Sequence, residues 1–286
     1  MFNRTDLAVE RLTDASSLPD GITNTETFHG DICVTHTVIN DDNGSSLLGK
    51  PIGDYITVTL DAPPQSLTEP SDSEEIIAEQ ILKLLPKNRQ SVLVLGLGNR
   101  DITPDALGPK TAECILATRH ITKELAKDIG LSSLKSVAVI SPGVLGQTGI
   151  ETSEILSAVV ELIKPSAVIV IDALAAKSIK RLGTTIQLSN TGICPGAGVG
   201  NARKEINQET LGVPVIAIGI PTVVEAATLL YDLTEQKHSI EGVYSKMIVT
   251  PREIDTIIEH CSKLLGFSLN RALQPEIDSE VLRILV

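Results

Sequence analysis

The chain has 286 residues and a formal net charge of −12; 42% of its residues are hydrophobic, 21% are charged, and it contains no Trp. This balance excludes wholesale disorder, and the acidic charge disfavours direct binding to nucleic acid, because phosphate contacts need a basic surface. No apolar run reaches the roughly 18 residues that a membrane helix needs, so we expect no membrane association.

The cysteines are scattered along the chain, without a CxxC pair or a histidine at metal-ligand spacing: Cys33, Cys114, Cys194 and Cys261. We therefore expect neither a disulfide framework nor a zinc site. The amino terminus lacks the apolar stretch of a signal peptide, and a reducing cytoplasm is the simplest location.

The first sixty residues predict a small antiparallel β element. Alternating runs at Ile32–Ile39 and at residues 54–60 read as strands, separated by the turn-rich stretch NDDNGSS. His36 lies in the first run, where we expect a structural role. A Pro- and Ser-rich connection at residues 62–73 follows, and its end, SDSE, resembles a capping box that opens a helix.

Continuous apolar strands then alternate with helices. The predicted strands are SVLVLGLG, SVAVISPG, AVIVIDA and PVIAIGIP, and the predicted helices begin near Pro109, at ETSEILSAVVELI and at VVEAATLLYDL. The tail adds a strand near GVYSKMIVT and a helix from Pro251. This alternation predicts an α/β fold, a doubly wound, mostly parallel sheet flanked by helices. Ligands in such folds collect at the carboxyl ends of the strands.

Two carboxylates stand out at this carboxyl edge. Asp172 directly follows the apolar run VIVI, and Asp105 lies in a turn bracketed by Pro and Gly before a helix. If they meet, they can share a proton, so that one activates water while the other protonates or polarises a scissile carbonyl. Each could instead be an ordinary turn or strand-end acceptor. Asp101, in the same loop, competes with Asp105 for the role.

The glycine-rich loops are candidates for binding a substrate or an oxyanion through backbone N–H groups. The candidate residues are Gly96, Gly98, Asn99, Gly196 and Gly198. Neither loop fits the dinucleotide-binding fingerprint, and tight turns would explain the same glycines. Cys194 is a weak candidate nucleophile, because no His occurs between His120 and His238.

Several long motifs together resemble the germination protease family: GLGNRDITPDALGP, SPGVLGQTGIETSEI, VIVIDALAAKSIKRLGTTIQLSNTGICPGAGVGN and GIPTVVEA. The resemblance implies a tetrameric endopeptidase of the spore core that degrades small acid-soluble spore proteins at germination and is made as a zymogen. It also implies a sheet similar to that of hydrogenase maturation proteases. The family's proposed catalytic aspartates match Asp105 and Asp172.

The stretch RTDLAVE resembles the sequence that the family cleaves, with an acidic residue, a hydrophobic residue, Ala and then Glu. Self-processing is therefore predicted between Asp6 and Leu7, with residues 1–6 as a propeptide. Residues 7–286 would form a single peptidase domain, with a β-rich extension at 7–73 and a core at 74–286.

Two other functions remain open at this point. One is a metal-dependent maturation peptidase, which would need a His beside its acidic ligands; because residues 121–237 contain none, we predict no required metal or other cofactor. The other is a non-catalytic protein that binds its partner at the same edge of the sheet.

Overall fold

The computed structural model describes residues 5–12, 18–65, 70–128, 131–196, 203–234 and 247–286. Its strands are β1 Ile22–His29, β2 Ile32–Ile39, β3 Gly53–Thr59, β4 Ser91–Gly96, β5 Ser136–Ile140, β6 Ala167–Ala176, β7 Thr185–Ser189, β8 Val215–Glu225 and β9 Ile248–Val249. Its α-helices are α1 Ala8–Leu12, α2 Asp42–Leu48, α3 Asp72–Leu84, α4 Leu107–Glu113, α5 Lys123–Asp128, α6 Leu145–Thr148, α7 Thr152–Ile163, α8 Gln208–Leu211, α9 Ala226–Thr234, α10 Ile254–Leu273 and α11 Ser279–Leu285. Short 3-10 turns occupy Thr103–Asp105 and Ile179–Arg181.

These strands form one sheet in the order β1-β2-β3-β7-β8-β6-β4-β5, with β9 also paired to β8. Strands β8, β6, β4 and β5 are mutually parallel, whereas β7, β3, β2 and β1 continue the sheet by antiparallel pairing. The predicted α/β sheet flanked by helices is confirmed. The sheet is mixed rather than mostly parallel, because the small antiparallel element joins its edge through β7.

Helices cover both faces of the parallel half. Alternate residues of β6 enter different cores: Ile169 and Ile171 pack with α3, α4 and α10, while Val168 and Val170 pack with α7. This period of two, with apolar side chains on both faces, explains why the strand reads as a continuous apolar run. No described helix is long and apolar enough to cross a membrane.

The sequence predictions for the amino-terminal part succeed in part. The two predicted strands are β2 and β3, and His36 Nε2 lies 2.8 Å from Asp54 Oδ1 across them. NDDNGSS was predicted as a turn, but it contributes the start of α2, because Asp41 caps this helix by accepting from Gly44 N–H. Helix α3 does follow Ser71, but Ser71 makes no side-chain capping bond.

The capping-box prediction therefore fails at both of its ends. The Ser71 hydroxyl pairs with the hydroxyl of Ser73 at 2.8 Å, and the buried Glu74 carboxylate pairs with Arg283 of α11. At the other end of the chain, α10 begins at Ile254, three residues after Pro251. Of the strand predicted near GVYSKMIVT, the structure describes Ile248–Val249; residues 242–246 lie outside the described residues.

The lengths of the strands create the setting of the candidate site. Strand β4 ends at Gly96, opposite Ile171 of β6. Strands β6 and β8 continue as a pair beyond that point, to Ala176 and Glu225. The sheet therefore has a step at its carboxyl edge, where residues of β6 lose one neighbouring strand but keep the other.

Candidate active site

Asp172 lies on this step. Strand β6, predicted from AVIVIDA, continues through Asp172 to Ala176 and pairs Asp172 with Gly219 of β8. The residue is 7% exposed, and its Oδ1 accepts the N–H of Ala173 at 2.9 Å. The Asp172 carboxyl group is therefore nearly excluded from solvent, and its backbone is held in the sheet.

Asp105 ends the 3-10 turn that leads into α4. Its Oδ2 accepts the backbone N–H of Asn99 at 2.7 Å, and the preceding Pro104 carbonyl accepts the Thr222 hydroxyl of β8 at 2.7 Å. Gly98 has φ +115°, and a Cβ there would lie 2.0 Å from the Asp105 carbonyl oxygen. The glycine thus lets the loop fold closely over Asp105.

The two aspartates affect each other electrostatically. Burial raises the pKa of Asp172 well above its usual value, and the charges of Asp105 and then Asp6 raise it further. Burial also raises the pKa of Asp105, but the N–H of Asn99 opposes this rise by stabilising the carboxylate. Asp172 is therefore the carboxyl group that holds a proton more strongly, and Asp105 the one that ionises more readily.

The residues predicted to bind a substrate or an oxyanion do not all lie at the aspartates. Gly96 allows close packing of α4, since a Cβ there would lie 2.3 Å from the Gly108 carbonyl oxygen. The N–H of Asn99 is used by Asp105, and its side-chain oxygen accepts from Gln147 at 2.9 Å. Gly196 lines the cavity beside the aspartates, and Gly198 lies outside the described residues. Gly98 and Asn99 thus shape the loop around Asp105, whereas Gly96 lets α4 pack closely on β4.

A cavity of about 810 Å³ opens beside the aspartates. Both Asp105 and Asp172 line it, together with the loop around Gly143 and the stretch from Thr191 to Gly196. Its size is in the range of clefts that bind drug-sized ligands or short segments of chain. Residues 5 and 6, from the far amino terminus, also line it.

The amino-terminal segment is bound at this cavity through Asp6. Its backbone N–H donates to the Ala175 carbonyl, and its Oδ2 accepts the Ala175 N–H, both at 2.9 Å. Its carbonyl oxygen accepts from Lys50 Nζ at 2.6 Å and from Gln187 Nε2 at 2.9 Å. The carbonyl of the predicted Asp6–Leu7 cleavage bond is thus held by two side-chain donors.

The residues after Asp6 are buried in succession. Leu7 is fully buried among apolar residues of β6, β8 and the loop before β7, namely Leu174, Ala176, Leu182 and Val224. Ala8 is fully buried against Ile22, Ile39, Leu48 and Tyr55, and its N–H donates to Gln187 Oε1 at 2.5 Å. The two residues that follow Asp6 therefore each fill an apolar pocket.

Glu10 enters a polar pocket. It is 3% exposed and accepts the backbone N–H groups of Lys177 at 2.7 Å and Ser178 at 2.9 Å. Arg181 Nε lies 3.5 Å from its Oε1, and the Thr5 hydroxyl donates to its Oε2. Burial of a carboxylate is compensated here by several donors and a cation.

Asp101 and Cys194, the other candidate catalytic residues, are less suited to catalysis than Asp105 and Asp172. Asp101 is exposed and lies 3.3 Å from Gln147 Nε2 at the mouth of the loop. The Cys194 thiol donates to the Arg203 carbonyl at 3.2 Å, and burial, followed by the charge of Glu205, raises its pKa. A raised pKa keeps the thiol protonated, which disfavours a nucleophile. Within the described residues, no group of three or more His, Cys, Asp or Glu side chains could hold a metal ion.

Two residues at the site were not predicted from the sequence. Lys50 follows Gly49, whose φ of +62° ends α2, and Gln187 lies in the middle of β7, a strand that we did not predict. The amide side chain of Gln187 lies between the apolar residues Ile186 and Leu188, and this pattern is the sequence signal that could have drawn attention to it. For Lys50 the printed sequence offers no comparable signal.

Comparison with solved structures finds matches to this chain. A [NiFe] hydrogenase maturation protease, HycI from Thermococcus kodakarensis, aligns with a TM-score of 0.40 and 16% identity, covering 68% of this chain and 98% of its own.

Comparison with curated proteins and family profiles is more extensive. The profile of the germination protease family matches residues 3–239. The germination protease of Caldanaerobacter subterraneus subsp. tengcongensis is 42% identical, covering 95% of this chain and 94% of its own, and that of Clostridium tetani is 39% identical, covering 98% of both. That of Geobacillus sp. is 35% identical, covering 97% of this chain and 95% of its own. The chain therefore belongs to the germination protease family and is a peptidase.

Proposed function

We propose that this protein is the endopeptidase that starts the degradation of small acid-soluble spore proteins during germination. We further propose that it is made as a zymogen and cleaves its own chain between Asp6 and Leu7, using Asp105 and Asp172 to activate water. The observation that carries the proposal is the position of Asp6, which lines the same cavity as both aspartates.

The segment around this bond is bound in the manner of a substrate. Its backbone pairs with the edge of β6 at Ala175, its carbonyl oxygen is held by donors, and the side chains of Leu7 and Glu10 fill an apolar and a polar pocket. Backbone pairing gives affinity in strand-addition complexes, and pockets for side chains give specificity. A protein substrate with the same order of residues would fit the same pockets.

The environments of the two aspartates support a division of roles between them. Asp105, as carboxylate, takes a proton from water while the water oxygen bonds to the carbonyl carbon of Asp6, and the π electron pair moves onto the carbonyl oxygen. When that pair returns, the C–N bond breaks, and the Leu7 nitrogen leaves as an amine with the proton that Asp172 donates. The proton held by Asp105 then returns to Asp172. This division follows from the higher pKa of Asp172.

The same contacts explain inhibition before cleavage. While residues 5–10 occupy the cleft, a substrate cannot reach the pockets at Leu7 and Glu10. Cleavage removes Thr5 and Asp6, and with them the Thr5 bond to Glu10 and the paired bonds to Ala175. The remaining Leu7–Leu12 segment is then held by fewer contacts and can leave the cleft.

The test uses mass spectrometry. Full-length chain is incubated alone, and chain beginning at Leu7 is incubated with a small acid-soluble spore protein. Release of residues 1–6, together with cuts between an acidic and a hydrophobic residue in the substrate, would support the proposal. An intact substrate that is retained on the protein would favour a binding function instead. A tetrameric assembly and location in the spore core stay predictions of the family resemblance.

A further inference from the structure

We propose that Gln187 is a catalytic residue, whose amide N–H binds the carbonyl oxygen of the cleaved bond as negative charge develops there. The inference rests on the proposed cleavage at Asp6–Leu7 and adds the residue that stabilises its oxyanion. Glycine N–H groups were the candidates for this task, but Gly96 packs against α4 and Gly98 against Asp105.

The Gln187 amide spans the bond. Its Nε2 donates to the carbonyl oxygen of Asp6 at 2.9 Å, and its Oε1 accepts the N–H of Ala8 at 2.5 Å. The two contacts fix the orientation of the amide, because a flipped amide would face a donor with its nitrogen and an acceptor with its oxygen. The side chain thus contacts backbone groups on both sides of the Asp6–Leu7 bond.

The position of Gln187 in the sheet makes this donor rigid. It pairs with Thr57 of β3 on one side and with Gly219 of β8 on the other, and it is 8% exposed. Gly219 pairs in turn with Asp172 of β6. Residues paired in register project their side chains from the same face, so Gln187 and Asp172 flank a position that has no side chain.

Lys50 donates to the same oxygen at 2.6 Å, so two donors converge on it. Convergent, preorganised donors are the arrangement that stabilises the oxyanion of a tetrahedral intermediate. The two differ in chemistry. Burial lowers the pKa of Lys50 while the charge of Asp6 raises it, so its donor strength depends on pH, whereas the Gln187 amide is neutral throughout.

The experiment follows release of residues 1–6 from full-length chain, a first-order reaction that needs no substrate binding. Gln187→Met keeps the size of the side chain but removes the donor and the acceptor. We expect its rate to fall roughly 10²- to 10³-fold, the loss typical of one oxyanion donor. Gln80→Met is the matched control, since Gln80 is also a buried amide, lies on α3 and does not line the cavity.

Gln187→Glu separates catalysis from structure. It keeps an acceptor for the Ala8 N–H but places negative charge beside the oxyanion, so it should be slow at neutral pH and recover as acid protonates the new carboxyl group. A Gln187→Met rate equal to wild type, or a Gln187→Glu profile parallel to wild type, would overturn the role of Gln187. If wild type itself never releases residues 1–6, the proposed self-cleavage fails, and this role fails with it.

Discussion

Asp172 and Gln187 stand two strands apart on the same face of the sheet, and Gly219 between them has no side chain, which leaves room for the side chain of Leu174. Asp6 acts on both of these residues, since its carbonyl oxygen accepts from Gln187 and its charge raises the pKa of Asp172. The antiparallel half of the sheet supplies Gln187 and the parallel half supplies Asp172. The join between the two halves, at β7 and β8, therefore forms the floor of the site.

Gly219→Ala tests this floor. A Cβ would lie 2.5 Å from Leu174 Cγ and 2.8 Å from the Asp172 carbonyl oxygen, so both must shift. We expect stability to fall by about 1–3 kcal/mol in urea titrations, as in other overpacked sites. Release of residues 1–6 should slow as well, because Asp172 leaves its position.

Gly146→Ala is the control for stability, since an added Cβ there meets nothing within 4 Å and the residue lies in helix α6. Its free energy of unfolding should stay level or rise slightly, because Ala restricts the unfolded chain. Equal stability of Gly219→Ala and wild type would mean that a Cβ fits at position 219 without displacing Leu174 or Asp172.

Replacing either aspartate should stop cleavage. Asp105→Asn and Asp172→Asn each remove one member of the proton-transferring pair, and we expect rates to fall by about 10²- to 10⁴-fold or more. The measurement is fragment release from a spore protein and release of residues 1–6. Asp101→Asn is the matched control in the same loop, and its exposed side chain should leave the rate close to wild type. Strong loss in Asp101→Asn with normal cleavage by Asp105→Asn would exchange their roles.

The sequence predicts the buried apolar strands better than the contacts that residues distant in the chain make at the site. Runs such as AVIVIDA identify β6 because strands buried on both faces are continuously apolar. Strand β7 was missed because its five residues include Thr185, Gln187 and Ser189, whose burial depends on neighbours from β3 and β8. The two donors to the Asp6 carbonyl come from 44 and 181 residues along the chain. Spacing in the sequence cannot show such contacts.

The raised pKa of Asp172 predicts a pH-dependent stability. Because the folded state binds this proton more strongly than the unfolded state, stability falls as pH rises from the ordinary Asp value of 3.8 towards the raised pKa. Asp172→Asn removes this effect and still offers an oxygen to the Ala173 N–H. Its melting temperature should therefore exceed that of wild type at neutral pH, and the difference should vanish towards pH ~3.

Asp101→Asn should follow the wild-type curve in the same series, since that side chain is exposed. A constant difference between Asp172→Asn and wild type across the pH range would show that the proton on Asp172 is not the cause.

The pocket of Glu10 predicts a preference for an acidic residue at the fourth position after the cut. Glu10→Gln preserves the shape but weakens the bonds from the N–H groups of Lys177 and Ser178 and from Arg181. Hydrogen bonds to charged groups contribute about 1.5–3 kcal/mol, so release of residues 1–6 should slow roughly 10-fold or more.

Arg181→Ala should act in the same direction as Glu10→Gln. The double variant should lose less than the sum of the two single losses, because the two residues share one interaction. Lys263→Ala, which breaks the exposed pair with Glu259, is the control and should leave the rate unchanged. Additive losses would mean that Arg181 acts elsewhere, and a normal rate for Glu10→Gln would show that this pocket anchors the segment without setting the speed of cleavage.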